Sequence, residues 1–340
     1  MRPTTAPWSP YSKREPAGLP GTLGRACRSV QTGKEDDAVN VAQDLSALIG
    51  NTPLLELKHF APGVLVKLES FNPLSSAKDR AGYYMIRDAE ERGLLKPGGI
   101  IVEPTSGNTG VALAYIGAIR GYRVILTMPE SMSAERRGLL SALGAELVLT
   151  PGEGGMSAAI DKALALLAQM PGAWMPDQFR NPANARAHYE TTGPEIWRDT
   201  EGSVDVLVAG VGSGGTVTGA GRYLKEQNPQ IRVVAVEPAE SPVLSGGTAG
   251  AHGIQGIGAN FVPDVLDRSV VDEVLPVPTQ AACAAMRALT GEGILAGISS
   301  GAAAHAARVL SQRSELAHKR IVAILPDTGE RYLSTGLFQS

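Results

Sequence analysis

Four segments rich in glycine and hydroxyl side chains, and one lysine, are where residue type and spacing in this chain could do chemistry. Thr105-Ser106-Gly107-Asn108-Thr109-Gly110 offers hydroxyls, a carboxamide and glycine-exposed N–H groups ahead of a strongly apolar stretch. That composition suits a carboxylate or phosphate at a helix N-terminus. Helix capping by Ser or Thr would account for one of these residues but not for all six. Gly210-Val211-Gly212-Ser213-Gly214-Gly215-Thr216 is the better phosphate cradle, because close glycines let the backbone approach an anion and Thr216 adds a hydroxyl. Gly210, Gly212 and Gly215 also satisfy G-x-G-x-x-G, and Glu237 stands where a ribose-binding acid would fall. The motif by itself therefore fits a dinucleotide as well as a phosphate. Gly297-Ile298-Ser299-Ser300-Gly301 and Gln255-Gly256-Ile257-Gly258 read as ligand loops or as plain turns. Lys78 closes the Ser-rich run Asn72–Ala77, and by pattern alone Lys78-Asp79-Arg80 reads as solvated charge at a capped helix start.

Such loops need a scaffold, and the sequence supplies one. Leu54–Leu57 and Val64–Leu68 are short apolar runs around a Pro62-Gly63 turn. Further strands are expected at Ile100–Glu103, Arg123–Met128, Glu146–Thr150, Asp205–Ala209, Arg232–Glu237 and Arg320–Leu325. Helices are expected at Gly110–Arg120, Ala134–Leu143, Ser157–Ala168, Gly215–Glu226, Gln280–Gly291 and Gly301–Leu310. Continuous apolar strands alternating with helices call for an α/β fold with parallel sheets covered on both faces. The rhythm breaks between about Met175 and Ser203, where a crossing between two lobes is expected.

Composition narrows the function classes. With 43% hydrophobic and 19% charged residues the chain can bury a large core and is not a disordered polyampholyte. A net charge of −3 leaves no basic excess to neutralise phosphates, which argues against nucleic acid as a partner. The apolar run Val111–Ile119 falls well short of the about 18 residues of a membrane span. Two cysteines, Cys27 and Cys283, are too few for a disulfide framework or a zinc site, so no metal is expected and a reducing compartment fits. Residues 1–42 differ from the rest: five prolines precede Lys34, and no apolar periodicity appears. They read as an accessory extension, with a transit peptide as the minority alternative.

Taken together, the motifs are specific. Asn72–Arg80, Thr105–Gly110, Gly212–Thr216 and Gly297–Gly301 resemble the pyridoxal-phosphate enzymes of fold type II, the tryptophan-synthase-β-like group, and among them the cysteine synthases, or O-acetylserine sulfhydrylases. Gly50-Asn51-Thr52-Pro53-Leu54, Asp177-Gln178-Phe179, Asn181–Asn184, Thr191–Trp197, Ile254–Gly258 and Gly329–Ser334 extend the resemblance from about Leu48 to Phe338. It implies two lobes, each a mostly parallel twisted sheet covered by helices. Residues 43–71 and 182–335 would form the larger, phosphate-binding domain, and residues 72–181 a smaller mobile one.

The resemblance also implies roles. Lys78 would form the internal aldimine with pyridoxal 5'-phosphate and serve as acid and base at the substrate α-carbon. Asn108, Gly212, Ser213, Gly214, Gly215, Thr216 and Ser299 would bind the cofactor, with Ser299 facing the pyridine nitrogen. Thr105, Ser106, Gly107, Thr109, Gln178 and Gly256 would bind substrate. The implied reaction is β-replacement, making L-cysteine from O-acetyl-L-serine and sulfide through an α-aminoacrylate with release of acetate. A homodimer and docking of the C-terminal tail of a serine acetyltransferase are also implied. The reading of residues 1–42 as an accessory extension makes the cytoplasm the expected location, an organelle being the alternative if they are a transit peptide. A cystathionine β-synthase-like or O-phosphoserine-dependent enzyme is the near alternative, and an NAD-dependent dehydrogenase built on Gly210–Gly215 the distant one. Asn260, where the family usually has Gly, and Ala251-His252-Gly253 ahead of Gln255 depart from the family pattern beside the active-site mouth.

Overall fold

The runs of β-branched residues form two separate sheets in the computed structural model, which describes residues 41–338. In the larger, six-stranded sheet β1 (Leu54–Glu56) pairs antiparallel with β2 (Leu65–Leu68). Next to β2 lie β10 (Ile321–Leu325), β7 (Val206–Gly210), β8 (Arg232–Pro238) and β9 (Glu273–Val277), all parallel. Successive side chains alternate between two covered faces. Val206, Val208, Val234 and Val236 pack with Ile254, Met286 and Ala302 on one side. Leu207, Ala209, Val233 and Ala235 pack with Val217, Ala220 and Leu224 on the other.

The second sheet has the order β5 (Glu146–Thr150), β4 (Arg123–Pro129), β3 (Ile100–Pro104), β6 (Ala173–Trp174), parallel throughout. On one face the core joins Ile86 of α1 (Lys78–Glu91), Leu113 and Ile116 of α2 (Asn108–Arg120) and Leu140 of α3 (Ala134–Ala142) to Leu126. On the other, Ala163 and Leu166 of α4 (Gly155–Gln169) cover Val102 and Ile125. The expected α/β class with two parallel-sheet lobes is what the chain adopts.

Several elements differ from the sequence reading, each for a local reason. The stretch where the strand–helix rhythm breaks holds α5 (Pro182–Ala187), a π-turn over His188–Thr192 and α6 (Gly193–Asp199), pieces too short to show a 3.6-residue period. β9 was not anticipated because Pro276 interrupts it; as the last strand of its sheet it tolerates a missing N–H. α7 (Gly215–Gln227) starts as expected, and α8 (Thr279–Ala288) ends three residues before Gly291 in a short 3-10 turn. α2 starts two residues before Gly110, and α9 (Ile298–Ser311) three before Gly301. In both, a glycine with extended dihedrals, Gly107 or Gly297, is the cap. Asn108, Ser299 and Ser300 therefore sit inside first helical turns. Cys27 and all but the last two residues of the 1–42 extension lie outside the described residues.

Candidate active site

Lys78 is the first residue of α1, and the residues behind it fix where that helix begins. The expectation that Asp79 and Arg80 are solvated is wrong: both are fully buried. The Arg80 guanidinium forks two carboxylates, with Nε 2.7 Å from Glu69 Oε2 and Nη1 2.6 Å from Glu195 Oε1. Its Nη2 also donates to Glu69 Oε1, Glu195 Oε2 and Thr52 Oγ1. Lys67, buried as well, completes the network 2.8 Å from Glu195. Burial pushes the Glu69 carboxyl up, but the adjacent guanidinium more than reverses this and holds it at about 2. Glu69 follows β2 of the six-stranded sheet and Glu195 belongs to α6, so the network ties the start of α1 to both.

Lys78 itself has intermediate accessibility, but its amine is enclosed by protein. Among the described residues no carboxylate lies within ion-pair distance of its Nζ. Burial lowers the amine's proton affinity, and the charge of Asp327 restores only part of it. The geometry thus provides an enclosed amine that deprotonates more readily than a surface lysine, as a nucleophilic amine requires.

The glycine loops close a ring of contacts. Asn108 Nδ2 donates to Asp327 Oδ2 at 2.8 Å, and the Gly297 N–H donates to the Asp327 carbonyl. Two residues on, the Ser299 hydroxyl lies beside Gly256, where an added Cβ would stand 3.4 Å from Oγ. The Gly256 carbonyl in turn occupies the space a Cβ at Gly212 would need. Across the phosphate loop Asn184 Nδ2 donates to Ser213 Oγ and to the Gln178 carbonyl, both at 2.8 Å. Gln178 Oε1 accepts from Thr109 Oγ1 at 2.7 Å, which returns the ring to the Thr105–Gly110 loop. The loops singled out in the sequence therefore converge at the C-terminal ends of β3, β7 and β10, where ligands bind in open α/β sheets.

Two gaps in hydrogen bonding face this ring. The N–H groups of Gly212, Ser213, Gly214, Gly215 and Thr216 find no acceptor among the described residues. They head α7, so the helix dipole and a run of free donors favour an anion together. The N–H groups of Ser106, Asn108 and Thr109 are likewise without an acceptor among the described residues, forming a smaller cradle at the head of α2. Thr216 Oγ1 contacts His188 Nε2 at 3.1 Å, and burial drops the imidazole to about 3, so a neutral ring faces the cradle. A phosphate monoester and a carboxylate thus each meet a fitting donor set, and an enclosed amine lies in the same ring: the residues present fit pyridoxal phosphate and an amino-acid substrate.

Glu237 does not fit the dinucleotide alternative. Its buried carboxylate is consumed by the Leu244 and Ser245 N–H groups and the Ser245 hydroxyl, capping a local turn. Asn260, the departure from the family pattern, takes a left-handed conformation with φ +65, and its Oδ1 accepts from Ser241 Oγ at 2.8 Å. Asparagine tolerates that conformation better than most residues, so the loop keeps its turn without glycine. A surface groove of about 730 Å3 lies elsewhere; two arginines lining it, Arg180 and Arg222, are paired with Asp264 and Asp267.

The sequence reading missed four residues that shape the site: Asp327, Asn184, Glu103 and Arg80. Asp327 follows β10 at the sheet's ligand-binding edge, a position that could have flagged it. Glu103, fully enclosed at the end of β3, accepts from the Asp177 N–H at 3.0 Å and the Gln178 N–H at 3.4 Å. Burial pushes its carboxyl up to about 8 despite those donors.

Comparison with known proteins agrees with this geometry. Residues 45–327 match the pyridoxal-phosphate dependent enzyme family. Cysteine synthase A of Escherichia coli (strain K12) is 53% identical over 309 residues, covering 88% of this chain and 96% of that protein. The cysteine synthase of Haemophilus influenzae is 54% identical over 307 residues, covering 87% and 97%. The crystal structure of cysteine synthase from Entamoeba histolytica superposes with a TM-score of 0.86 at 45% identity, covering 91% of this chain and 94% of that one.

Proposed function

The chain belongs to the pyridoxal-phosphate dependent enzymes and, among them, to the cysteine synthases, and from that premise we propose how its residues divide the work. The reaction is β-replacement: acetate leaves O-acetyl-L-serine with its bonding electron pair, hydrosulfide adds at the same carbon, and L-cysteine results. Pyridoxal 5'-phosphate supplies the electron sink that makes loss of the α-proton possible.

Lys78 would hold the cofactor through its amine and then move the proton at the substrate α-carbon, off before acetate leaves and back after sulfur adds. Backbone N–H groups of Gly212, Ser213, Gly214, Gly215 and Thr216 would hold the phosphate, with the Thr216 hydroxyl beside them. Asn108 and Ser299, linked through Asp327 and Gly297, would meet the cofactor ring. Thr105, Ser106, Gly107, Thr109 and Gln178 would take the substrate carboxylate, and Gly256 would border the mouth. The observation that carries this division is the ring itself: an enclosed amine and two sets of free N–H donors are joined through Asp327, Gly256, Asn184 and Gln178.

The same premise frames the larger assembly. Residues 72–181, which contain every strand of the four-stranded sheet, would move as a smaller lobe against a body formed by 43–71 and 182–335. The working unit would be a cytoplasmic homodimer. The terminal carboxylate of a serine acetyltransferase would compete with substrate for the Thr105–Thr109 cradle. No helix among the described residues is long and apolar enough to cross a membrane.

Substrate competition tests the reading. O-acetylserine with sulfide should outrun O-phosphoserine with sulfide and serine with homocysteine. Preference for either of the others would assign the chain to a sister activity on the same fold.

A further inference from the structure

The Gly329–Ser334 motif has no role in the division of labour above, yet two of its side chains reach the site. Arg331 Nη1 donates to Asn108 Oδ1 and its Nη2 to the Leu74 carbonyl. The Tyr332 hydroxyl donates to Asp327 Oδ2 at 2.7 Å, the oxygen that also accepts from Asn108 Nδ2. The Asn108 amide is thus held with its carbonyl against a guanidinium and its NH2 against a carboxylate. Flipping it would set donor against donor and acceptor against acceptor, so one orientation is fixed. One of its two N–H bonds goes to Asp327, and the other has no acceptor among the described residues.

Asp327 also touches the segment that leads into Lys78. Its backbone forms an antiparallel bridge with Ser76, and the Ala77 N–H donates to the Pro326 carbonyl at 2.9 Å. Its second carboxylate oxygen, Oδ1, is buried with no partner among the described residues and fills the space that a side chain at Gly297 would need. One acidic side chain thereby adjoins the leader of Lys78, the amide of Asn108 and the cap of the helix that carries Ser299.

We propose that Asp327 and Arg331 are positioning residues that clamp the Asn108 amide between opposite charges and aim its free N–H at the cofactor ring. Held from both sides, the amide is polarised along its dipole, and its free N–H donates more strongly than an unanchored asparagine would. Tyr332 keeps the Asp327 carboxylate from turning away. The proposal rests on Asn108 meeting the cofactor, and the test separates that premise from the clamp.

The loaded enzyme is dialysed and loss of pyridoxal phosphate is followed by its visible absorption, for wild type, Asn108→Ala, Asp327→Ala, Asp327→Asn, Arg331→Met and the pairs with Asn108→Ala. Asn108→Ala and Asp327→Ala should each release the cofactor about tenfold faster, as loss of one charge-assisted hydrogen bond implies. Asp327→Asn, which keeps an acceptor oxygen but loses the charge, should recover only part of the loss, and full recovery would overturn the role given to charge. The Asn108→Ala/Asp327→Ala pair should release it no faster than Asn108→Ala alone, because the acid acts through the amide. Release faster by the product of the two single effects would overturn the clamp. Wild-type retention in Asp327→Ala would do the same. Wild-type retention in Asn108→Ala would instead remove the premise that Asn108 meets the cofactor. Should Asp327→Ala fail to fold, Arg331→Met at a half-buried position carries the same cycle, with the same two outcomes.

Discussion

Replacing Arg80 with alanine strips the counter-charge from Glu69 and leaves Glu195 with Lys67 alone, and both carboxylates are cut off from water. Glu69 is 0% exposed and Glu195 5%. Five hydrogen bonds from the guanidinium are lost together. Breaking a buried ion pair by removing one partner costs about 3–5 kcal/mol. At roughly 2.1 cal/mol/K per residue over some three hundred ordered residues, that lowers Tm by about 5–8 °C. Arg80→Lys should lose less, since it keeps the charge, but not nothing, because a point charge cannot fork two carboxylates. The pH dependence is more diagnostic than the size. In the wild type Glu69 is held at about 2, below its unfolded value near about 4.3, so its contribution is present above about 4.3 and is lost as pH falls towards 2. In Arg80→Ala the Thr52 and Asn72 hydrogen bonds still oppose burial but the guanidinium does not, so the carboxyl rises, and acidification neutralises the stranded charge and relieves the variant. The Tm gap between wild type and variant, measured by calorimetry, should therefore narrow from pH 8 to pH 4. A gap that stays constant over that range would refute the claim that stranded charge is the cost.

Other outcomes follow from single contacts. Glu103 is pushed up to about 8 by burial, so the wild type should lose stability as pH rises from about 4.3 to about 8; Glu103→Gln should flatten that decline in a Tm-versus-pH series, and an unchanged slope would show that Glu103 does not titrate there. Gly212→Ala sets a Cβ on the Gly256 backbone carbonyl, which cannot rotate away; a loss of about 1–3 kcal/mol in thermal unfolding is expected, with reduced cofactor content after purification.

Much of this was legible in the sequence. Strands such as Val206–Gly210 announce themselves because burial on both faces demands continuous apolar runs. The glycine loops are legible because free backbone donors at a helix start need glycine next to them. Helix starts at Asn108 and Ile298 were not, since their caps are glycines whose extended dihedrals leave no side-chain signature. The residues that close the ring were hidden for another reason: their roles come from partners distant in sequence. Asp327 meets Asn108 across 219 positions, and Arg80 meets Glu195 across 115. Read locally, Lys78-Asp79-Arg80 is a charged helix start. Only the fold shows that the arginine is consumed in the core while the lysine is left at the ring of loops.

Borohydride reduction of the purified enzyme, followed by proteolysis and mass spectrometry, tests the central claim most directly. The visible absorption should bleach, and the reduced pyridoxyl group should be found on the peptide that carries Lys78, with no label when Lys78 is replaced by alanine. A label on another lysine, or retention of near-normal cysteine formation by Lys78→Ala, would contradict the assignment of Lys78 as cofactor anchor and α-proton base.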